Sequence, residues 1–182
     1  MGRSIRRGGE GCGLKLIRYQ PLRSQAQFHR SKARFKGFSG PIGSGKSQAL
    51  CQEAIRLAFV NGGTMGLLGA PTYPMLRDAT RRALLNVLEE NEIPFAHHRS
   101  ESIIEFTQNG SKILLRSLDE YERLRGTNLA WFGIDELTYC KEDAWLRLEG
   151  RLREPKAVRH CGFAVWTPKG RDWVYRRFVE DR

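Results

Sequence analysis

Apolar residues recur along the chain in two alternating spacings. Leu50, Ala54, Leu57 and Ala58 fall at i, i+4, i+7 and i+8, the stripe of a helix with one buried face, and Asn61-Gly62-Gly63 supplies the left-handed chemistry that ends it. A second helix is predicted from about Met75 to Glu90, with Leu76, Ala79, Ala83 and Val87 turned inward, and a third over Glu142 to Leu152. Between them lie short apolar runs of strand type: Phe35 to Phe38, Thr64 to Ala70, Leu129 to Ile134 and His160 to Trp166. Residues 102–107 and 111–116 flank Gln108-Asn109-Gly110, a strong hairpin signal. Strands alternating with helices predict an α/β fold, with a mainly parallel central sheet, helices on both faces and the hairpin as an antiparallel addition. Ligands on such sheets bind beyond the carboxyl ends of the strands.

Composition leaves room for one domain. A chain of 182 residues with 40% hydrophobic content can bury a full core, and no apolar stretch approaches the length of a membrane span. Arg6-Arg7 precedes no apolar segment of the kind an export signal needs, so the chain reads as not secreted and without a membrane partner. Cys12, Cys51, Cys140 and Cys161 lack metal-ligand spacing and read as reduced thiols. Charge is uneven. Residues 1–36 hold ten Lys or Arg against the single acid Glu10, most of the net +11. Such a segment suits a polyanion such as nucleic acid, by counterion release, or else keeps the chain soluble. With Gly8, Gly9, Gly11 and Gly13 in it, residues 1–18 are expected to be a flexible basic arm ahead of a domain over 19–182.

The chemistry concentrates at two strand ends. Gly40-Pro41-Ile42-Gly43-Ser44-Gly45-Lys46-Ser47 fits the pattern G-x-x-x-x-G-K-S/T, between a strand and a helix as that pattern requires. Its glycines let backbone N–H groups point inward as a nest for phosphate oxygens, and the helix N-terminus adds its positive end. Lys46 can reach the β- and γ-phosphates of ATP, and the Ser47 hydroxyl is placed to ligate Mg2+. Trp131-Phe132-Gly133-Ile134 runs into Asp135-Glu136. Asp135 fits the role of the carboxylate that holds the magnesium, and Glu136 is the candidate general base for an attacking water. A kinase, whose substrate brings its own nucleophile, has no need of that second carboxylate. His97-His98 has no partner at metal or triad spacing and reads as plain surface or core, and Trp131 and Trp166 read as core.

Together with its flanking segments, the pair of motifs resembles the ATPase domain of the large subunit of phage terminase, the motor that drives viral DNA into a capsid. The resemblance runs from about Tyr19 to Phe178. Tyr19-Gln20-Pro21-Leu22-Arg23-Ser24-Gln25-Ala26-Gln27-Phe28 is similar to the segment upstream of the family's phosphate loop, whose glutamine reads the adenine edge; by position that is Gln25. Ala70-Pro71-Thr72 matches a strand end, and Leu124-Arg125-Gly126-Thr127 looks like the element ahead of the acidic strand. Thr167-Pro168-Lys169-Gly170, with Trp173, Tyr175 and Phe178, resembles the coupling segment, in which a hydroxyl residue senses the γ-phosphate; by position that is Thr167.

The resemblance implies a three-layer P-loop NTPase of the RecA-like, ASCE type. It implies ATP and Mg2+ as cofactors, double-stranded DNA as partner, a homo-oligomeric ring working with a portal and a small terminase subunit, and action in the host cytoplasm during capsid assembly. Two departures matter. Terminase large subunits continue into a nuclease domain, and this chain ends before one, so no nuclease activity is expected from it. Some members carry an arginine inside the phosphate loop where Ile42 stands here. Arg125 could supply an arginine finger or could stabilise the loop before the acidic strand, and a neighbouring subunit is the other source. Alternatives from other classes are a RecA-like helicase lobe, which would need a second lobe that this length cannot hold, and a nucleotide-gated assembly factor with little turnover.

Overall fold

Strands with no polar face set the architecture. In the computed structural model, which describes residues 19–180 apart from Arg125 and the side chain of Arg123, β2 (Met65–Ala70), β6 (Trp131–Ile134) and β7 (Cys161–Trp166) are buried almost throughout. Strands covered on both sides cannot alternate apolar with polar, so they read as continuous apolar runs. With β1 (Phe35–Ser39), β3 (Phe95–His98), β4 (Ile103–Phe106) and β5 (Lys112–Ser117) they form one seven-stranded sheet in the order β1-β7-β6-β2-β5-β4-β3. The strands from β1 to β5 in that order run parallel; β4 pairs antiparallel with β5, and the edge strand β3 antiparallel with β4.

Two helical layers cover it. On one face lie α1 (Arg23–Arg30), α2 (Lys46–Val60) and α4 (Arg81–Glu90), and on the other α5 (Glu142–Glu149) and α6 (Trp173–Tyr175). Adjacent strand residues serve opposite layers. Trp131 belongs to the same core cluster as Leu50, Ala54 and Leu84, its ring centroid 5.8 Å from that of Phe163, while Phe132 turns to Trp145 of α5, with ring centroids 4.9 Å apart at 78°. Full burial of each such side chain contributes about 2–3 kcal/mol.

The predicted hairpin, β4 with β5, is antiparallel and joins the mainly parallel sheet through β5, which pairs parallel with β2 over Met65–Ala70, while the edge strand β3 pairs antiparallel with β4. Other details differ from the sequence reading. β3 and α1 are not evident in the patterning. β3 is half-buried on both sides, and α1 turns only Gln25 and Phe28 inward. His97-His98 falls on β3, where His98 Nε2 meets Glu105 Oε2 at 2.9 Å. The second helix opens as α3 (Tyr73–Met75), widens into a π-turn over Leu76–Thr80, and continues as α4. There the Arg81 N–H reaches back to Leu76 O, five residues away. The extra residue in that turn moves the inner stripe from Ala79 and Ala83 to Thr80 and Leu84, so Ala79 is exposed while Thr80 and Leu84 are buried.

Candidate functional site

The sheet order brings the two motifs to one edge. β7 lies between β1 and β6, so the loops leaving β1, β7 and β6 are neighbours, and Gly40 N–H bonds to Trp166 O at 3.2 Å. After β1 the backbone turns through left-handed conformations at Gly43 (φ 79°) and Gly45 (φ 76°), which glycine adopts without the clash a Cβ would bring. α2 then opens at Lys46, and its first-turn N–H groups face the loop. Ser44 Oγ is buried without a hydrogen-bond partner among the described residues, a donor available to an anion. Lys46 is buried, and its Nζ donates to Pro41 O at 2.8 Å.

Asp135 begins where β6 ends. The residue is 3% exposed, with Ser47 Oγ 3.5 Å from Oδ1 and 3.4 Å from Oδ2 across 88 residues of chain. Thr80 Oγ1 donates to Oδ2 at 2.9 Å. Burial pushes the Asp135 carboxyl up and the charge of Glu136 adds to this, against the hydrogen bonds from Thr80 and Ser47. Among the described residues no cationic side chain pairs with Asp135, and no cluster of three or more His, Cys, Asp or Glu could hold a metal. A buried carboxylate beside a hydroxyl, with no cation of its own, fits a hard divalent ion that takes its remaining oxygens from phosphate and water.

Glu136 carries the left-handed backbone that glycine normally occupies, with φ 48°. Strain of about 1–3 kcal/mol accompanies such a residue and must be held by its surroundings. The holding contacts come from β7's end: Thr167 N–H donates to Glu136 Oε2 at 3.2 Å, Thr167 Oγ1 to Oε1 at 3.4 Å, and Thr138 Oγ1 to Thr167 O at 3.3 Å. Lys169 Nζ lies 3.0 Å from the Tyr139 ring centroid and closes the same two turns together. Glu136 and the loop residues Ile42, Gly43, Gly45, Lys46, Ser47 and Gln48 line a cleft of about 380 Å³.

A family model described as terminase large subunit, T4likevirus-type, N-terminal, matches residues 38–182. The chain belongs to this family. Of its relatives, the terminase large subunit of Thermus virus P23-45 is 27% identical over 91% of this chain and 37% of its own length. This terminase chain thus spans little more than a third of that relative. Among solved structures, the large terminase ATPase domain of Thermus phage P74-26 superposes with a TM-score of 0.70 at 23% identity, over 88% of this chain and 70% of that one. The large terminase of a thermophilic bacteriophage, solved in complex with ATP-gamma-S, gives a TM-score of 0.70 at 18% identity over 87% of this chain and 41% of its own. These likenesses show the RecA-like three-layer fold.

The terminase frame makes the remaining placements informative. Gln25 lies behind the phosphate loop, 4% exposed, with its Oε1 accepting from Leu22 N–H at 2.8 Å and its Nε2 donating to Gly45 O at 3.0 Å. Arg125 and the basic arm over residues 1–18 fall outside the described residues. Thr80 and Gln48 were missed by sequence reasoning. For Thr80 the available signal was a hydroxyl four residues from both Leu76 and Leu84, on the buried stripe of a helix.

Proposed function

We propose that this domain is a Mg2+-dependent ATPase that powers translocation of double-stranded viral DNA into a capsid, as the motor part of a terminase large subunit. The observation that carries the reading is the meeting of Ser47, at the start of α2, with Asp135, at the end of β6, with Glu136 in the same cleft. Membership of the terminase family and the likeness to a large terminase that binds ATP-gamma-S support it. Backbone N–H groups of residues 40–45 would surround the phosphates, and Lys46 would exchange its bond to Pro41 O for the β- and γ-oxygens. Ser47 and Asp135 would hold the ion, which neutralises charge on the phosphates when bound. Glu136 is the general base, and its two contacts with Thr167 support Thr167 as the coupling residue.

The motor reading brings with it double-stranded DNA, gripped in part by the N-terminal arm, a homo-oligomeric ring, a portal and a small terminase subunit, in the host cytoplasm. Arg125 or a neighbouring subunit would supply the arginine finger, since Ile42 cannot. The test is turnover. Glu136→Gln should lower ATP hydrolysis about 10²–10⁴-fold while nucleotide affinity stays within a few-fold. Turnover equal to that of the unaltered protein would remove Glu136 from its role and, with it, the motor.

A further inference from the structure

Thr80 has a bond that the roles above leave unused. It is 1% exposed, on the inner stripe between Leu76 and Leu84, and its hydroxyl reaches across from the helix to Asp135 Oδ2 at 2.9 Å. A buried threonine in a helix commonly returns its hydroxyl to the carbonyl four residues back. Here the hydroxyl goes to Asp135 instead, and the π-turn, in which Leu76 O accepts from the Arg81 N–H, brings Thr80 rather than Ala79 to the inner face.

We infer that Thr80 is a positioning residue of the metal site, holding one oxygen of Asp135 so that the carboxylate keeps its face toward Ser47. The inference rests on the ATPase reading of Ser47 and Asp135 and adds a residue to it. Ser47 stands at 3.4 and 3.5 Å from the two oxygens, too far to fix their orientation, whereas the Thr80 bond is short. The choice of group is chemically specific. Lys or Arg at this place would also orient Asp135 but would neutralise it and compete with the cation; a neutral hydroxyl orients the carboxylate and leaves its charge for the ion. Because Thr80 closes the π-turn Leu76–Thr80 in the helix that follows β2, the ligand geometry at β6 is tied to the helix leaving the neighbouring strand.

The test compares Thr80→Val, which keeps the shape and removes the donor, with Thr80→Ser, which keeps the donor. Fluorescent ADP is titrated against each in Mg2+ and in EDTA, and Mn2+ binding to the ADP complex is followed by electron paramagnetic resonance. Thr80→Val should weaken the Mg2+-dependent gain in ADP affinity and the Mn2+ affinity about tenfold, leave the affinity in EDTA unchanged, and be rescued by Thr80→Ser. An equal loss in EDTA, an unaltered Mg2+ gain, or a Ser variant as weak as Val would overturn the role. Should valine prevent folding, Thr80→Ala takes its place with the same expected split. A wild-type protein whose ADP affinity is the same in Mg2+ and EDTA would instead bring down the ATPase reading of Ser47 and Asp135.

Discussion

Glu53 sits on α2 just beyond the phosphate loop, 0% exposed, and gathers three basic side chains. His29 Nδ1 lies 2.8 Å from Oε2, Lys36 Nζ 2.8 Å from Oε1, and Arg56 Nη2 2.6 Å from Oε1. Lys36 is itself buried; its Nζ donates to Phe28 O at 2.7 Å and lies 4.6 Å from the Phe28 ring centroid. Burial alone would raise the Glu53 carboxyl, but hydrogen bonds from His29 and Arg56 and the charge of Lys36 outweigh it and bring it from 4.5 to about 2. A shift of that size is linked to about 3 kcal/mol of stability. Glu53→Gln removes it and leaves Lys36, whose ammonium burial already disfavours, without its counter-charge. The expected loss at neutral pH is about 3–5 kcal/mol, the cost of breaking a buried pair from one side. Arg56, with a side chain 38% exposed, can turn to water, so the penalty falls on Lys36.

Urea unfolding followed by the fluorescence of the buried Trp131 and Trp145 measures it. The sign of the pH dependence is fixed by the direction of the shift. A depressed carboxyl contributes fully above its unfolded value of 4.5 and loses its contribution as pH falls toward about 2. The gap between wild type and Glu53→Gln should therefore be open at neutral pH and narrow steadily below about pH 4.5. A gap under about 1 kcal/mol, or one constant from about pH 6 to about pH 3, would refute the reasoning. The same cluster ties α1 to α2, and α1 carries the Gln25 bond to Gly45 O. Loss of Glu53 should thus also weaken nucleotide binding.

Two further outcomes follow from the site's surroundings. Gly45→Ala places a Cβ 2.5 Å from Gln25 Nε2 at a backbone φ of 76°; with about 1–2 kcal/mol of added strain the loop should lose at least about tenfold in nucleotide affinity while circular dichroism shows the fold intact, and unchanged affinity would count against the loop geometry. Burial raises the thiols of Cys51, Cys140 (to about 12) and Cys161, so in a Cys12→Ser background the folded protein should resist a thiol reagent at about pH 8 and react only on unfolding.

Much of the site was legible because its chemistry is local. The glycines of residues 40–45 demand backbone conformations that few other residues adopt, and Lys46 and Ser47 must follow them at once. Asp135 and Glu136 end an apolar run. The remainder was hidden for reasons that differ by residue. α1 is polar over most of its surface, and only Phe28 and Gln25 turn inward, so no periodic stripe marks it. β3 borders the sheet and is half-buried on both faces, which removes both strand patterns. The π-turn shifted a stripe by one residue, and periodicity assumes a constant turn. Glu53 sits beside a stripe of small and aliphatic residues and looks like a solvated charge until β1 and α1 pack over it.

The chain's own order of residues dictated a glycine-rich loop of the phosphate-binding pattern between strand and helix, and a pair of carboxylates at a strand end, since both follow from conformations and burial set within a few residues. It left open which strands lie side by side. Lateral order depends on how helices crossing the sheet pack their faces, and only the folded arrangement β1-β7-β6-β2 places Ser47 and Thr80 against Asp135 and Thr167 against Glu136. Those contacts join residues 31 to 88 positions apart. Local propensity has no reach over such distances, and packing does.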